Sequence, residues 1–514
     1  MLNYPTVQEN LEQYIDAGFP LLYIRTFEET KADAFIGALL EKKNEDVAEK
    51  KKIKAVEWNG AKGFVDFDTK SPLIASQTLE STLKLLTSDK GFERRWLIIK
   101  DADDYLKNEQ TALSNATIVA LLKEIARKIR VEHLKASVMI VSSSLHIPPA
   151  LEKLITVLEL ELPDEKKINA IIENFIKDNN VPTVTPQLLE EMSLAFKGLS
   201  ESEIMDLLNL AFENDGKFSS SDLQLIFAQK KQMIMKAGVL EMVELKEEVS
   251  DIGGLERLKE WLGKKSKVFK NSKKAEEFGV ATPKGVLIAG LPGCGKSLTA
   301  KAAGKLFDVP LLRLDMGRLM GRYVGESEEN MRKAIRLAEA ISPCVLWVDE
   351  LEKAFAGIGG GGSEVTTRLF GTFLTWMQEK TEPVFVLATA NKIVDLPPEL
   401  LRKGRFDEIF YVSLPNSGER KKIFEIHIKK RRKQDFANID INALVEETDD
   451  YTGADIEGIV SESVENAFID NTALTTELIL KCIENTHSLS EVMGKEIGEM
   501  AAEYEQRKFK PASS

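Results

Sequence analysis

Residues 286–297 read VLIAGLPGCGKS, an apolar run entering Gly290, four further residues, and then Gly295-Lys296-Ser297. That spacing suits phosphate chemistry. Glycines at Gly290, Gly293 and Gly295 let backbone N–H groups converge on phosphate oxygens, Lys296 reaches the β/γ oxygens, and the Ser297 hydroxyl ligates magnesium. Pro292, Cys294 and Leu298 fill out the loop and are expected to lie against the nucleotide. Further on, the apolar run CVLWVDE ends in Asp349-Glu350. A buried strand ending there supplies Asp349 as a second contact to the magnesium shell and Glu350 to polarise a water for attack on the γ-phosphate. The pair implies hydrolysis of ATP with Mg2+, not binding alone.

These residues need a scaffold that brings two strand ends together. Around them VLIAG, PLLRLD, CVLWVDE, VFVLATAN and IFYVSLP alternate with amphipathic helices. Such alternation predicts an α/β fold, a mostly parallel sheet sandwiched by helices, with the ligand at the carboxyl ends of the strands. From about residue 418 the strand signal stops and helical periods take over. The expected organisation is an ATPase core over 246–417, a small helical lid over 418–494 and a tail over 495–514.

The amino half parallels the carboxyl half. PLLYIRTFEETKADAFIGAL lies without a gap on the phosphate-loop segment, so that Lys31 meets Lys296 while Arg25, Glu28 and Thr30 fall on Gly290, Gly293 and Gly295. RRWLIIKDADD resembles the strand ending in Asp349-Glu350, with Ala102 following Asp101, so no water-activating carboxylate is expected there. VMIVSSSLHIPPALEKL parallels VLATANKIVDLPPELL, and KGLSESEIMDLLNLAFEN parallels YTGADIEGIVSESVENAFID. Apolar strands occur in any α/β protein, but four matches in one order indicate a degenerate duplicate. Residues 1–163 are therefore expected to be an α/β domain lacking a phosphate loop, and 164–245 a helical lid-like segment and linker. Acids facing the phosphates, and no glycines, argue against triphosphate binding in this copy.

With 514 residues the chain exceeds one ordinary core. A formal charge of -13 argues against a nucleic-acid coat. The basic runs Lys264–Lys267 and Lys429–Lys433 carry no interleaved aromatics for base stacking and read as solvated helix faces. Three cysteines, Cys294, Cys344 and Cys482, fit no metal spacing and suggest a reducing compartment. Cys294 is either a small residue filling the loop or a redox brake on it. No apolar run approaches the ~18 residues that span a bilayer, so a cytoplasmic protein with no membrane contact is expected, stromal if plastid-encoded.

GLPGCGKS, DE, TAN, LLRKGRFDE and YTGADIEG occur in the order found in the AAA branch of the AAA+ P-loop ATPases, which residues 249–485 resemble. LLRLDMGRLMGRYVGESEENMRKAIRLAEAISPCVLWVDE with FGTFLTWMQEKTEPVFVLATAN is more narrowly similar to the AAA family named for hypothetical chloroplast open reading frame forty-six. The resemblance implies that Asn391 orients the attacking water and that Arg402 and Arg405 are arginine fingers reaching a neighbour's γ-phosphate. The other reading of these arginines pairs them with Asp407 or Glu408. It further implies that Ile252 and Gly253 pack near the adenine, with His427, Gly453 and Ala454 on the lid side of base and ribose; His427 also reads as a satisfied core histidine. Tyr323 and Val324 fall at the family's first pore loop, or pack on their own domain, and Gly357–Ser363 falls near its second, or is a spacer.

The function implied is an ATP-hydrolysing homo-oligomer, a hexameric ring in the family, that remodels a protein substrate or adaptor, the first half docking it. An ATP-driven switch that does not thread polypeptide is the alternative, and a nucleic-acid-handling motor ranks behind both.

Overall fold

Apolar residues dominate the central strand segments, as in VMIV, VLIA, CVLWV and VFVLA, and strands of that kind must be covered on both faces. The computed structural model describes residues 7–75, 78–88, 90–106, 113–160, 162–182, 184–219, 222–319, 326–355, 364–393, 396–402, 404–507 and 509–513. By internal contacts the chain divides into two units, Met1–Pro163 with Ser200–Met205, and Asp164–Leu199 with Asp206–Ser514. Each unit builds a seven-stranded sheet.

The first sheet comprises β1 (Leu21–Arg25), β2 (Lys54–Asn59), β3 (Gly63–Asp66), β4 (Pro72–Ala75), β5 (Arg95–Ile99), β6 (Ser137–Ser142) and β7 (Ile155–Glu159), in the order β4-β3-β2-β5-β6-β1-β7. Its five strands from β2 to β7 are parallel, and β3 and β4 extend one edge as an antiparallel hairpin. The second sheet comprises β8 (Leu240–Val243), β9 (Gly285–Gly290), β10 (Leu311–Leu314), β11 (Cys344–Val348), β12 (Val384–Ala390), β13 (Glu408–Val412) and β14 (Lys510–Pro511), in the order β14-β13-β9-β12-β11-β10-β8. All its pairings are parallel except β8 with β10. The parallel series β2-β5-β6-β1-β7 and β10-β11-β12-β9-β13 have one topology. Both halves are thus α/β, with the strand expected to carry the phosphate loop, β9, and its counterpart, β1, at the same place.

Two details of the overlay differ from the sequence reading. Helix Glu29–Asn44 begins after residues 26–28, whereas helix Lys296–Phe307 begins after residues 291–295. The first-unit connection is two residues too short for a phosphate-wrapping loop, and Lys31 is the third helical residue, not the counterpart of Lys296. In the second strand, Ile99 pairs with Ile140 as Val348 pairs with Ala388. This register puts Lys100 opposite Asp349 and Asp101 opposite Glu350. The left-handed φ of 53° at Asp101 and 49° at Glu350 agrees.

The lid helices Ser417–Arg432, Ile441–Glu446, Gly453–Ile469 and Thr476–Glu484 share a core of their own around Phe424, Leu444, Ile456 and Ile479. Two of them open on capping boxes, Asn416 with Glu419 and Thr452 with Asp455, which fix where the chain turns into helix. The expected tail is folded instead. Helix Leu489–Gln506 lays Ile497, Met500 and Tyr504 into the core of the second sheet, and residues 510–511 add the edge strand β14. Apolar residues spaced three or four apart at 493, 497, 500 and 504 are the signal that this segment is helical. Likewise β8, placed by sequence in a linker, is a strand of the second sheet.

Candidate nucleotide site

β9 ends at Gly290, whose φ of 151° brings its backbone so near β13 that a Cβ would stand 2.1 Å from Val412 O. The loop that follows needs glycine again at Gly293 (φ 75°) and Gly295 (φ 86°). At Gly293 the reason is steric as well. A Cβ there would lie 2.8 Å from Thr452 Oγ1 and 3.1 Å from Ala454 Cβ, because the lid helix Gly453–Ile469 docks its first turn on the loop. Ala454 N–H donates to Gly293 O at 3.0 Å. Gly453 and Ala454 therefore touch the phosphate loop itself.

Lys296 opens helix Lys296–Phe307, and its ammonium turns back to donate to Gly290 O (2.9 Å) and Leu291 O (2.7 Å). It is 7% exposed, and burial lowers its pKa to about 8. An ammonium held by neutral carbonyls in a desolvated pocket is a site for an anion. Ser297 Oγ lies 3.5 Å from Asp349 Oδ1, a pair of hard oxygens from two adjoining elements. This donor set fits a magnesium triphosphate. Burial pushes the Cys294 thiol up to about 12, so little thiolate is present for redox chemistry.

Residues that the motifs did not single out complete the corner. Thr389 Oγ1 donates to Asp349 Oδ1 at 2.5 Å and accepts from Glu350 N–H at 3.1 Å, tying the acid pair to β12. Arg313 on β10 faces Asp349 Oδ2 at 3.6 Å and lies over the Trp347 ring. Asn391 Nδ2 donates to Glu350 Oε1 at 3.4 Å, so the two residues expected to handle the water are neighbours. Asn391 N–H donates to Glu352 Oε1 at 3.0 Å. Burial raises the pKa of Glu352. Thr389 was legible as the hydroxyl two residues before Asn391; Glu352 carried no signal beyond its closeness to Glu350.

On the base side, Ile252 is buried and its carbonyl accepts from Lys259 Nζ. Gly253 lies against the lid, where a Cβ would meet Ile423 Cγ1 at 2.4 Å. His427, one turn beyond Ile423, has Nδ1 3.1 Å from Arg431 Nη1 and 3.7 Å from Glu457 Oε1, partners within the lid. Its pKa is lowered, chiefly by burial.

Arg405 donates to Glu399 O, and Arg402 follows the short helix Pro398–Leu401. The two acids that were the alternative partners are engaged elsewhere: Asp407 accepts from Lys284 and Gly285 N–H, and Glu408 pairs with Lys510. Tyr323, Val324 and residues 357–363 lie outside the described residues. The basic runs meet acids, Lys264 with Glu260, Lys429 with Glu425 and Arg432 with Asp435, as solvated helix faces do. Among the described residues no helix is long and apolar enough to cross a membrane.

Comparison with known proteins agrees with this geometry. Residues 286–414 match the ATPase family associated with various cellular activities (AAA), and 438–478 match the AAA+ lid domain. Residues 7–160 and 166–237 match the N-terminal and second domains of SpoVK-like AAA ATPases. The AAA domain-containing protein ycf46 of Pyropia yezoensis is 36% identical over 476 residues, 91% of this chain and 92% of its own length. Its counterpart in Guillardia theta is 35% identical over 498 residues, 95% and 92% of the two chains. A cell division cycle protein 48 homolog of Archaeoglobus fulgidus is 35% identical over 223 residues, 41% of this chain and 29% of that one.

Proposed function

The chain belongs to the ycf46 family of AAA proteins, and from that premise we propose that its second half hydrolyses ATP with magnesium and drives the remodelling of a protein partner. The observation that carries the reading is the convergence of Lys296, Ser297, Asp349, Glu350 and Asn391 at adjoining strand ends.

Lys296 exchanges its loop carbonyls for a phosphate oxygen, which restores the charge that burial disfavours. Ser297 and Asp349 would hold magnesium, which neutralises phosphate charge and polarises the phosphorus toward attack. Thr389 fixes Asp349 from the far side. Glu350 accepts the proton of the attacking water, and the Asn391 amide holds that water and carboxylate in one arrangement. Gly453 and Ala454 bring the lid onto the loop, so nucleotide occupancy and lid position are joined. Arg402 and Arg405, on the segment leading into β13, act on the nucleotide of a neighbouring copy in a homo-oligomeric ring, as arginines supplied in trans do in other phosphoryl-transfer enzymes. Tyr323 and Val324 line its pore, and the first half docks the partner protein.

Glu350→Gln binds ATP without cleaving it. The account expects that variant, with ATP and magnesium, to elute as a larger assembly on a sizing column and to retain a protein partner in a pull-down. An ATP-independent monomer would contradict the ring. Tyr323→Ala abolishing remodelling supports threading; full activity in that variant favours a switch.

A further inference from the structure

Helix Leu489–Gln506 begins on the lid. Leu489 N–H faces Asp455 Oδ2 at 3.4 Å, and Ser490 Oγ donates to Asp450 O at 2.6 Å. At Met493 the backbone leaves helical geometry (φ -126°, ψ 28°). Leu489 and Met493 already pack against the core of the second sheet, and beyond the break the helix stays on it, where Tyr504 is 2% exposed and its ring stacks on Tyr411 of β13, centroids 4.1 Å apart. The Tyr504 hydroxyl donates to Asn391 O at 3.3 Å. The backbone of Asn391 is thus held before and after its Cα, its N–H by Glu352 and its carbonyl by Tyr504.

The chain then returns to the lid. Ala512 N–H donates to Tyr411 O at 2.8 Å and fixes β14 on β13. Ser513 Oγ meets Glu419 Oε1 at 2.6 Å, and that oxygen also accepts from Leu255 N–H at 3.0 Å. Glu419 stands in the first turn of lid helix Ser417–Arg432, 5% exposed, and Leu255 follows the Gly253-Gly254 loop. One continuous element touches the lid near both its ends and Asn391 between them. The lid has a core separate from that of the sheet, so it can turn as a body, and the break at Met493 sits where that turning would be absorbed.

We propose that residues 489–507 and 509–513 act as a coupling strap, with Tyr504 the positioning residue through which lid movement is felt at Asn391 and so at Glu350. The proposal rests on the reading of the site as an ATPase. Lid closure on the nucleotide pulls the strap; the strap sets the Asn391 peptide; the Asn391 amide sets the carboxylate that accepts the proton. Tyr504 acts through the Asn391 backbone, as a positioning residue and not on the reacting atoms. Its loss should therefore slow the chemical step and leave ATP binding alone.

The test uses the full chain and two variants. Tyr504→Phe keeps the ring and its stack and removes the hydroxyl. Insertion of Gly-Ser-Gly after Gly494 slackens the joint between the lid contacts at 489–490 and Tyr504 without removing any side chain. Each is expected to lower kcat about 3- to 10-fold at saturating ATP and magnesium, with ATP affinity within about twofold of wild type, a split that general destabilisation of the fold would not produce. Wild-type kcat in both variants, with hydrolysis still dependent on Lys296, would sink the coupling alone and leave the strap a structural cover. Absence of Lys296-dependent hydrolysis in the wild-type chain would sink the reading of the site, and the coupling with it.

Discussion

At the end of β11 an acid, Asp349, stands 3.6 Å from the Arg313 guanidinium of β10; at the end of β5 a base, Lys100, stands 3.5 Å from the Glu57 carboxylate of β2. The two pairs occupy equivalent positions in two sheets of one strand order, with their signs exchanged. In the second unit the acid keeps an oxygen beside Ser297. In the first, Lys100 also meets Asp33 at 2.8 Å and Glu29 at 3.6 Å, and Lys70 meets Glu57 at 2.6 Å and Asp33 at 3.1 Å. An ammonium sits where the other unit has Asp349, the residue proposed to hold magnesium, and acids stand around it. Asp101, the counterpart of Glu350, accepts from Gly60 N–H at 3.0 Å. Glu28 accepts from Ser202 N–H, and Lys31 pairs with Glu201 at 2.6 Å. A carboxylate thus caps the first turn of a helix in the way the other unit's lid helix meets its phosphate loop. A fold can lose a ligand and keep its shape when side chains of its own supply the charges that the ligand brought.

Paired substitutions break or sharpen this contrast. Glu350→Gln should lower kcat by about a hundredfold or more, as loss of a general base does, while Asp101→Asn leaves turnover unchanged. Equal losses from both would show a working first site. Lys100→Met leaves Lys70 alone to neutralise Glu57, which is 2% exposed, and Asp33, and should destabilise the first unit by roughly 1–2 kcal/mol, less than the cost of stripping a fully buried pair because Lys70 remains. Denaturant titration checks it, and an unmoved midpoint would refute the internal counter-ion.

The Lys296 site makes a pH prediction that the first unit does not share. The pKa of the free site is about 8, and a polyanion raises it toward the ordinary lysine value. Above pH ~8 binding therefore takes up a proton, and affinity falls as pH rises, by at most about tenfold per unit up to pH ~10. Calorimetry in buffers of different ionisation enthalpy counts that proton, and flat affinity from pH 7 to 9 would contradict it. The smallest effect is Lys31→Ala. The Lys31–Glu201 pair is partly exposed and contributes at most about 1 kcal/mol. ATP binding should not change, in contrast to Lys296→Ala.

Much of this was legible in the chain. Apolar runs gave the strands, and the two glycine and carboxylate motifs placed Lys296, Ser297, Asp349 and Glu350, because backbone curvature and metal ligation admit few residue types. The duplication was legible in strand order but not in register. A gapless overlay hid a connection two residues shorter and so paired Lys31 with Lys296, and the separate match of RRWLIIKDADD was one residue out of register, which paired Ala102 with Glu350. The folded segment after residue 494 reads as a tail because its polar terminal residues, QRKFKPASS, outweigh the spacing of Met500 and Tyr504. Arg313, Glu352 and Glu419 act across strands and between lid and loop, contacts far apart in sequence that no local pattern announces.

Equilibrium binding of ATP with magnesium to the full-length Glu350→Gln chain tests the contrast most directly. One nucleotide per chain, lost when Lys296→Ala is added, is the predicted result. Two per chain, or one that survives the loss of Lys296, would contradict it.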